Sequence, residues 1–160
     1  LTKQATATPQ SSAVLGWREW LELPELGIKQ IKAKIDTGAR SSSLHAYDIQ
    51  CETVDGQKWV NFKVHPHQHN DGDPVNCRAP VKDYRQVTDS GGHRSMRYVI
   101  ETTISLGGEL LTAEITLADR SDMLFRMLLG RTAMNGRYLV NPASSYCLGK
   151  PTATMTTSST

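Results

Sequence analysis

Ile31-Lys32-Ala33-Lys34-Ile35-Asp36-Thr37-Gly38-Ala39-Arg40 alternates apolar and basic residues and then breaks into a turn of small residues. Ile31, Ala33 and Ile35 fall on one face of an extended segment and Lys32 and Lys34 on the other, the period of a strand with one buried side. Gly38 permits a backbone turn that a side chain would resist, and the Thr37 hydroxyl can tie a tight loop to its neighbours. A carboxylate, Asp36, therefore stands at the end of a buried strand, a placement suited to acid–base chemistry. Three common residues in a row also recur by chance, so Asp36 as a plain turn former stays open at this point.

A second segment, Met127-Leu128-Leu129-Gly130-Arg131-Thr132-Ala133-Met134, carries an apolar run to a glycine and then into helix-forming residues. Asp36-Thr37-Gly38-Ala39 followed far downstream by Leu128-Leu129-Gly130-Arg131 resembles the retropepsin pattern. The likeness is closer to one bacterial and archaeal branch, RimB-like and associated with RimK-type ligases, long labelled "ATP-dependent zinc protease". Its recurring segments are similar to Lys34–Ala46, Ser90-Gly91-Gly92, Asp119–Met123 and Leu128–Arg131. The resemblance spans residues 14 to 149. It implies a six-stranded acid-protease barrel in which the apolar-apolar-Gly strand passes behind the aspartate loop and one short C-terminal helix follows.

A chain of 160 residues makes one domain with a proper core. Its formal net charge of +2 gives no nucleic-acid footprint, and its apolar runs are too short to span a membrane. Residues 1–13, rich in Thr, Ala, Ser and Gln, and residues 150–160 cannot repay ordering entropy and read as a flexible leader and tail around a domain at 14–149. The start lacks Met, so either a leader has been removed or the chain has been trimmed. The compartment is left open between periplasm or envelope and cytoplasm, with the low-complexity start leaning to the periplasm. Cys51, Cys77 and Cys147 fit no CxxC site; free thiols and a Cys51–Cys77 disulfide are both open.

From Val14 to Leu23 the chain reads as strand and turn, ended by Pro24 and Gly27, with Trp17 and Trp20 as packing residues. Leu44–Val54 and Lys58–Val64 flank Asp55-Gly56, a hairpin signal, with Trp59 and Phe62 on opposite faces. His65–Pro74 is a polar loop, Val75–Val87 is extended with an interruption at Pro80, and Thr88–His93 is a turn. Tyr98, Ile100, Thr102, Ile104 and Leu106 share one face. Gly107-Gly108 turns into Leu110–Leu117, where Leu111, Ala113, Ile115 and Leu117 face inward. Only Thr132–Asn135 reads as helix. Many short strands with glycine-marked turns make an all-β barrel, and no internal duplication suggests a two-lobed chain.

Aspartic proteolysis needs two carboxylates sharing a proton, one activating water while the other protonates the scissile carbonyl. One Asp-Thr-Gly per chain means that the second comes from a symmetry-related copy, so the expectation is a homodimer with Asp36, Thr37 and Gly38 at the catalytic centre. By the resemblance, Ala39, Arg40, Ser90, Gly91 and Gly92 contact a peptide or protein substrate, the last three as a glycine-tipped flap, while Leu128, Leu129, Gly130 and Arg131 support the loop. Arg40 and Arg131 suit a brace to an acid such as Asp122, or Arg40 faces the cleft to bind acidic side chains. His65, His67 and His69, with Asp71 or Asp73, form the rival, a zinc site. Pro66 and the turn-rich Asn70–Asp73 count against it, and neither His-Glu-x-x-His nor a phosphate loop is present. No cofactor is expected. Ser41, Ser42, Ser43 and His45 lack a nucleophile elbow and read as hydroxyls bonding backbone beside Asp36. A retropepsin-type endopeptidase is the leading reading, ahead of a non-catalytic peptide-binding module and a metal-dependent hydrolase. Family association adds an ATP-grasp ligase as partner.

Overall fold

The computed structural model describes residues 13–66, 74–89, 91–120 and 124–150. In chain order the strands are β1 (Ala13–Leu15), β2 (Arg18–Leu23), β3 (Ile28–Ile35), β4 (Ser42–His45), β5 (Tyr47–Val54), β6 (Gln57–Val64), β7 (Val75–Thr88), β8 (Arg94–Leu106), β9 (Glu109–Ala118) and β10 (Met127–Leu129). A single turn of helix, α1 (Arg131–Met134), and β11 (Tyr138–Val140) follow.

β2, β3, β10, β4, β9 and β8 pair in that order, and a β2–β8 bridge at Glu22 and Ser105 closes the ring. This is the expected six-stranded barrel. β10 lies between β3, to which it is parallel, and β4, to which it is antiparallel. Ile31, Ala33 and Ile35 point into the core with Leu44, Ile104, Ile115, Met127 and Leu129. Full burial of aliphatic side chains such as Leu129 and Ile31 stabilises by roughly 2 kcal/mol each, so the strand that delivers Asp36 is anchored by its neighbours. β7, β6 and β5 extend the sheet outward from β8. No helix of the described residues is long and apolar enough to cross a membrane.

Both glycine hairpins form as read. Asp55 and Gly56 have φ of 51° and 80°, Gly107 and Gly108 of 60° and 86°, the left-handed values that two-residue hairpins require. Leu111, Ala113, Ile115 and Leu117 are buried.

Three expectations change. Leu44–Val54 is two strands, because Ser42–His45 is buried on both sides between β10 and β9 and only Tyr47 onward joins the hairpin. Pro80 does not interrupt β7. The strand pairs with β6 through Pro80 and with β8 from Val81, so the proline sits where the partner changes. The helix begins one residue earlier than expected, at Arg131. All three thiols are free. β6 separates Cys51 from Cys77, and two inter-strand spacings, about 9–10 Å, exceed the reach of a disulfide. Burial pushes the Cys77 thiol up to about 12.

A buried carboxylate fastens the C-terminal segment. Glu19 on β2 is fully buried and accepts the N–H groups of Gly16 at 2.7 Å, Cys147 at 2.9 Å and Leu148 at 3.2 Å. Arg18 lies over the rings of Trp17 and Tyr146, at 4.5 and 4.9 Å from their centroids, and β11 pairs with β1 in parallel.

Candidate functional site

The end of β3 and the end of β10 meet at the aspartate loop. The Asp36 N–H donates to the Leu129 carbonyl at 2.9 Å, extending the β3–β10 ladder by one step. The loop then closes on itself: the Ala39 N–H reaches the Asp36 carbonyl at 3.3 Å, and the Gly38 N–H donates to Asp36 Oδ1 at 3.0 Å. Oδ2 has no hydrogen-bond partner among the described residues. Asp36 is half-buried and Thr37 and Gly38 are exposed, so the carboxylate sits at a rim with one oxygen held and one available.

The segment after β10 supports this loop from behind. Arg131 and Thr132 N–H groups donate to the carbonyls of Ala39 at 2.7 Å and Arg40 at 3.0 Å. Gly130 passes so close to Ser41 that a Cβ there would lie 2.4 Å from the Ser41 carbonyl oxygen. Its N–H donates to the buried Ser42 Oγ at 3.0 Å. The expected Arg131 brace takes a different partner: its guanidinium donates to the Thr37 carbonyl at 3.2 Å, while Asp122 lies outside the described residues. Arg40 is exposed beside the loop. Ser42 bonds backbone as expected of these hydroxyls, though from a strand.

Gly91 and Gly92 lie at the tip of the β7–β8 hairpin; Ser90 is outside the described residues. Asp89 organises this tip, with Oδ1 accepting the N–H groups of Gly91 and His93, each at 2.9 Å, and Oδ2 accepting from the Arg120 guanidinium. These groups hold the Asp89 carboxyl below its ordinary value; the His93 N–H is the largest cause and burial opposes it. The tip is thereby joined to the segment after β9 rather than to the aspartate loop. A cleft of about 750 Å³ opens between the hairpin, that segment and the start of β5. Asp36 does not line it.

Of the three histidines on alternate residues, His67 and His69 lie outside the described residues. His65 stacks on Tyr47 with centroids 5.1 Å apart and meets its hydroxyl at 2.8 Å. Among the described residues no group of His, Cys, Asp and Glu could hold a metal. His45 is buried with Nδ1 3.2 Å from the Ala118 carbonyl at the end of β9, and desolvation holds its pKa below the ordinary value.

Sequence reasoning missed Asp89, Arg97 and Arg120. Asp89 before a glycine pair is a readable turn former, whereas the pairing of Arg120 with it depends on long-range topology.

The comparisons with known proteins agree with this architecture. A Legionella pneumophila protein of unknown function superposes with a TM-score of 0.73 at 27% identity, covering 86% of this chain and 99% of that one. Proteins named probable alpha-L-glutamate ligase from Shewanella pealeana and Desulfotalea psychrophila are 43% and 44% identical over 137 residues, 86% of this chain. The chain spans about 30% of the length of these curated relatives. Residues 14–151 match the family described as retropepsin-like aspartic endopeptidase RimB, and the chain belongs to that RimB-like family.

Proposed function

We propose that this domain is an aspartic endopeptidase of retropepsin type, acting on a peptide or protein through Asp36 carboxylates paired across a homodimer. The observation that carries the proposal is the state of Asp36: one oxygen fixed by Gly38, the other without a partner among the described residues, on a backbone held by β10 and α1. A second copy related by a two-fold axis supplies the second carboxylate. The pair then shares one proton, since like charges at that range do not both ionise. One carboxylate takes the proton of the attacking water and the other donates to the carbonyl oxygen. Thr37 and Gly38 form the loop on either side. Ala39 and Arg40 contact the substrate, and Gly91-Gly92 covers it.

Relatives named probable alpha-L-glutamate ligase support a link between such domains and glutamate-adding chemistry. We read this domain as working with an ATP-grasp ligase, and acidic peptides are the first substrates to try. The test is Asp36→Asn in the full chain. Peptide cleavage should fall by at least ~100-fold, with an unchanged melting curve and no effect of chelator on the parent protein. Cleavage that persists in this variant overturns the aspartic mechanism. Cleavage absent from the parent, with peptide still bound, leaves a peptide-binding module.

A further inference from the structure

The cleft beside the β7–β8 hairpin holds a charge that the aspartate loop does not account for. Arg97 on β8 lines it and is only 8% exposed. Its Nε donates to Ser95 Oγ at 3.1 Å. The two terminal nitrogens have no acceptor among the described residues, and neither is sealed from solvent. Asp89 is the nearby carboxylate, but Gly91, His93 and Arg120 already occupy its oxygens. Burial and the Arg120 charge both pull the Arg97 pKa down, with Asp89 opposing them. A mostly buried guanidinium with its fork unmatched is costly to keep unless something fills it. A planar fork of N–H donors accepts a carboxylate through two parallel hydrogen bonds.

We propose that the Arg97 guanidinium holds one carboxylate of a bound peptide in this cleft, which makes Arg97 a specificity-determining residue. The inference rests on the peptide-cleaving reading above. A single negative charge fits better than a phosphate dianion, because Asp48 and Asp119 line the same cleft, where Arg120 is already paired with Asp89, and they repel further negative charge. Ile49, Met96, Tyr98 and Leu117 supply apolar wall for methylene groups next to the charge. The carboxylate has two sources, an acidic side chain or the α-carboxylate at the peptide's end.

The experiment uses the Asp36→Asn full chain, so that binding is read without cleavage. Fluorescence anisotropy compares dye-labelled peptides in matched pairs: Glu against Gln with an amidated end, free acid against amide in a neutral peptide, and phosphoserine against serine. In at least one of the first two pairs the acid should bind ~10-fold or more tightly than its amide; the pair that responds identifies the source. Phosphoserine should gain nothing over serine. Arg97→Gln should erase the preference and Arg97→Lys should shrink it, because an ammonium cannot make the bidentate contact. Acid and amide binding alike, phosphoserine binding tighter than either acid, or a preference undiminished in both variants overturns the inference. If Arg97→Gln does not fold, the matched pairs and Arg97→Lys decide it. No binding by any peptide overturns the peptide-cleft reading itself, a distinct failure.

Discussion

The aspartate loop and the tip of the β7–β8 hairpin are both short glycine-bearing turns, yet they differ in what ties them to the rest of the fold. Three segments share the work around Asp36: β10 through the Leu129 carbonyl, α1 through the N–H groups of Arg131 and Thr132 and the Arg131 side chain on the Thr37 carbonyl, and β4 through Ser42. Most of these contacts are backbone to backbone. At the tip, two backbone hydrogen bonds close the turn, Asp89 N–H to the His93 carbonyl and Gly92 N–H to the Asp89 carbonyl, and one carboxylate makes three further contacts, two to its own turn and one to Arg120. A group that must meet its reaction partner in one geometry benefits from redundant support. A segment that must let a substrate past benefits from a tether that a single change releases.

The largest effect that would break this contrast comes from Gly130→Ala. The new methyl would meet Ser41 backbone oxygen and carbon at 2.4 and 2.5 Å, and backbone on both sides cannot step aside cheaply. We expect a loss of about 3 kcal/mol in denaturant unfolding, with any Asp36-dependent cleavage lost as well. A drop under ~1 kcal/mol would mean that the loop yields, and the redundancy argument would fail. Ser42→Ala is gentler. It leaves the buried Gly130 N–H without its acceptor, at a cost of about 1–3 kcal/mol by the same measurement. A neutral result would show that the backbone contacts alone carry the loop.

The parts of the barrel that were legible in the sequence are those written locally. Gly107-Gly108 and Asp55-Gly56 turn because their dihedral angles demand these residues, and Ile31-x-Ala33-x-Ile35 alternates because one side of β3 meets the core. The aspartate loop was visible for the same reason. Long-range matches were not. Nothing near Pro80 reveals that β7 changes partner there. An Arg131 side chain suggests an acidic partner, while the backbone carbonyl of Thr37, distant in sequence, accepts its hydrogen bond. Arg97 belongs by alternation to the outward face of β8, yet it is buried, and alternation alone does not reveal that.

The smallest expected effect on stability, and the sharpest probe of the contrast, concerns Asp89. Its carboxyl titrates below its ordinary value in the folded state. The sign follows from linkage: a depressed carboxylate supports the structure fully above its unfolded value and loses that support as pH falls through its folded value. The window therefore opens at about pH 4 and extends downward. Arg97, Arg120 and His93 face this carboxylate, and the two arginines stay charged throughout the window. In nuclear magnetic resonance spectra recorded from neutral pH downward, the Gly91 and His93 N–H signals should keep their hydrogen-bonded positions until pH ~4 and then lose them. The Arg131 and Thr132 N–H signals, bonded to carbonyls that do not titrate, should hold through the same window. Asp89→Asn removes the charge and keeps the shape, so its tip should be looser at neutral pH and indifferent to acid, with the melting temperature nearly unchanged. A tip in the Asn variant as ordered as in the parent protein would show that turn geometry, rather than the carboxylate, holds it. Loss of the Arg131 and Thr132 signals together with those of the tip would show that the two regions open as one unit, and the division of labour between them would not stand.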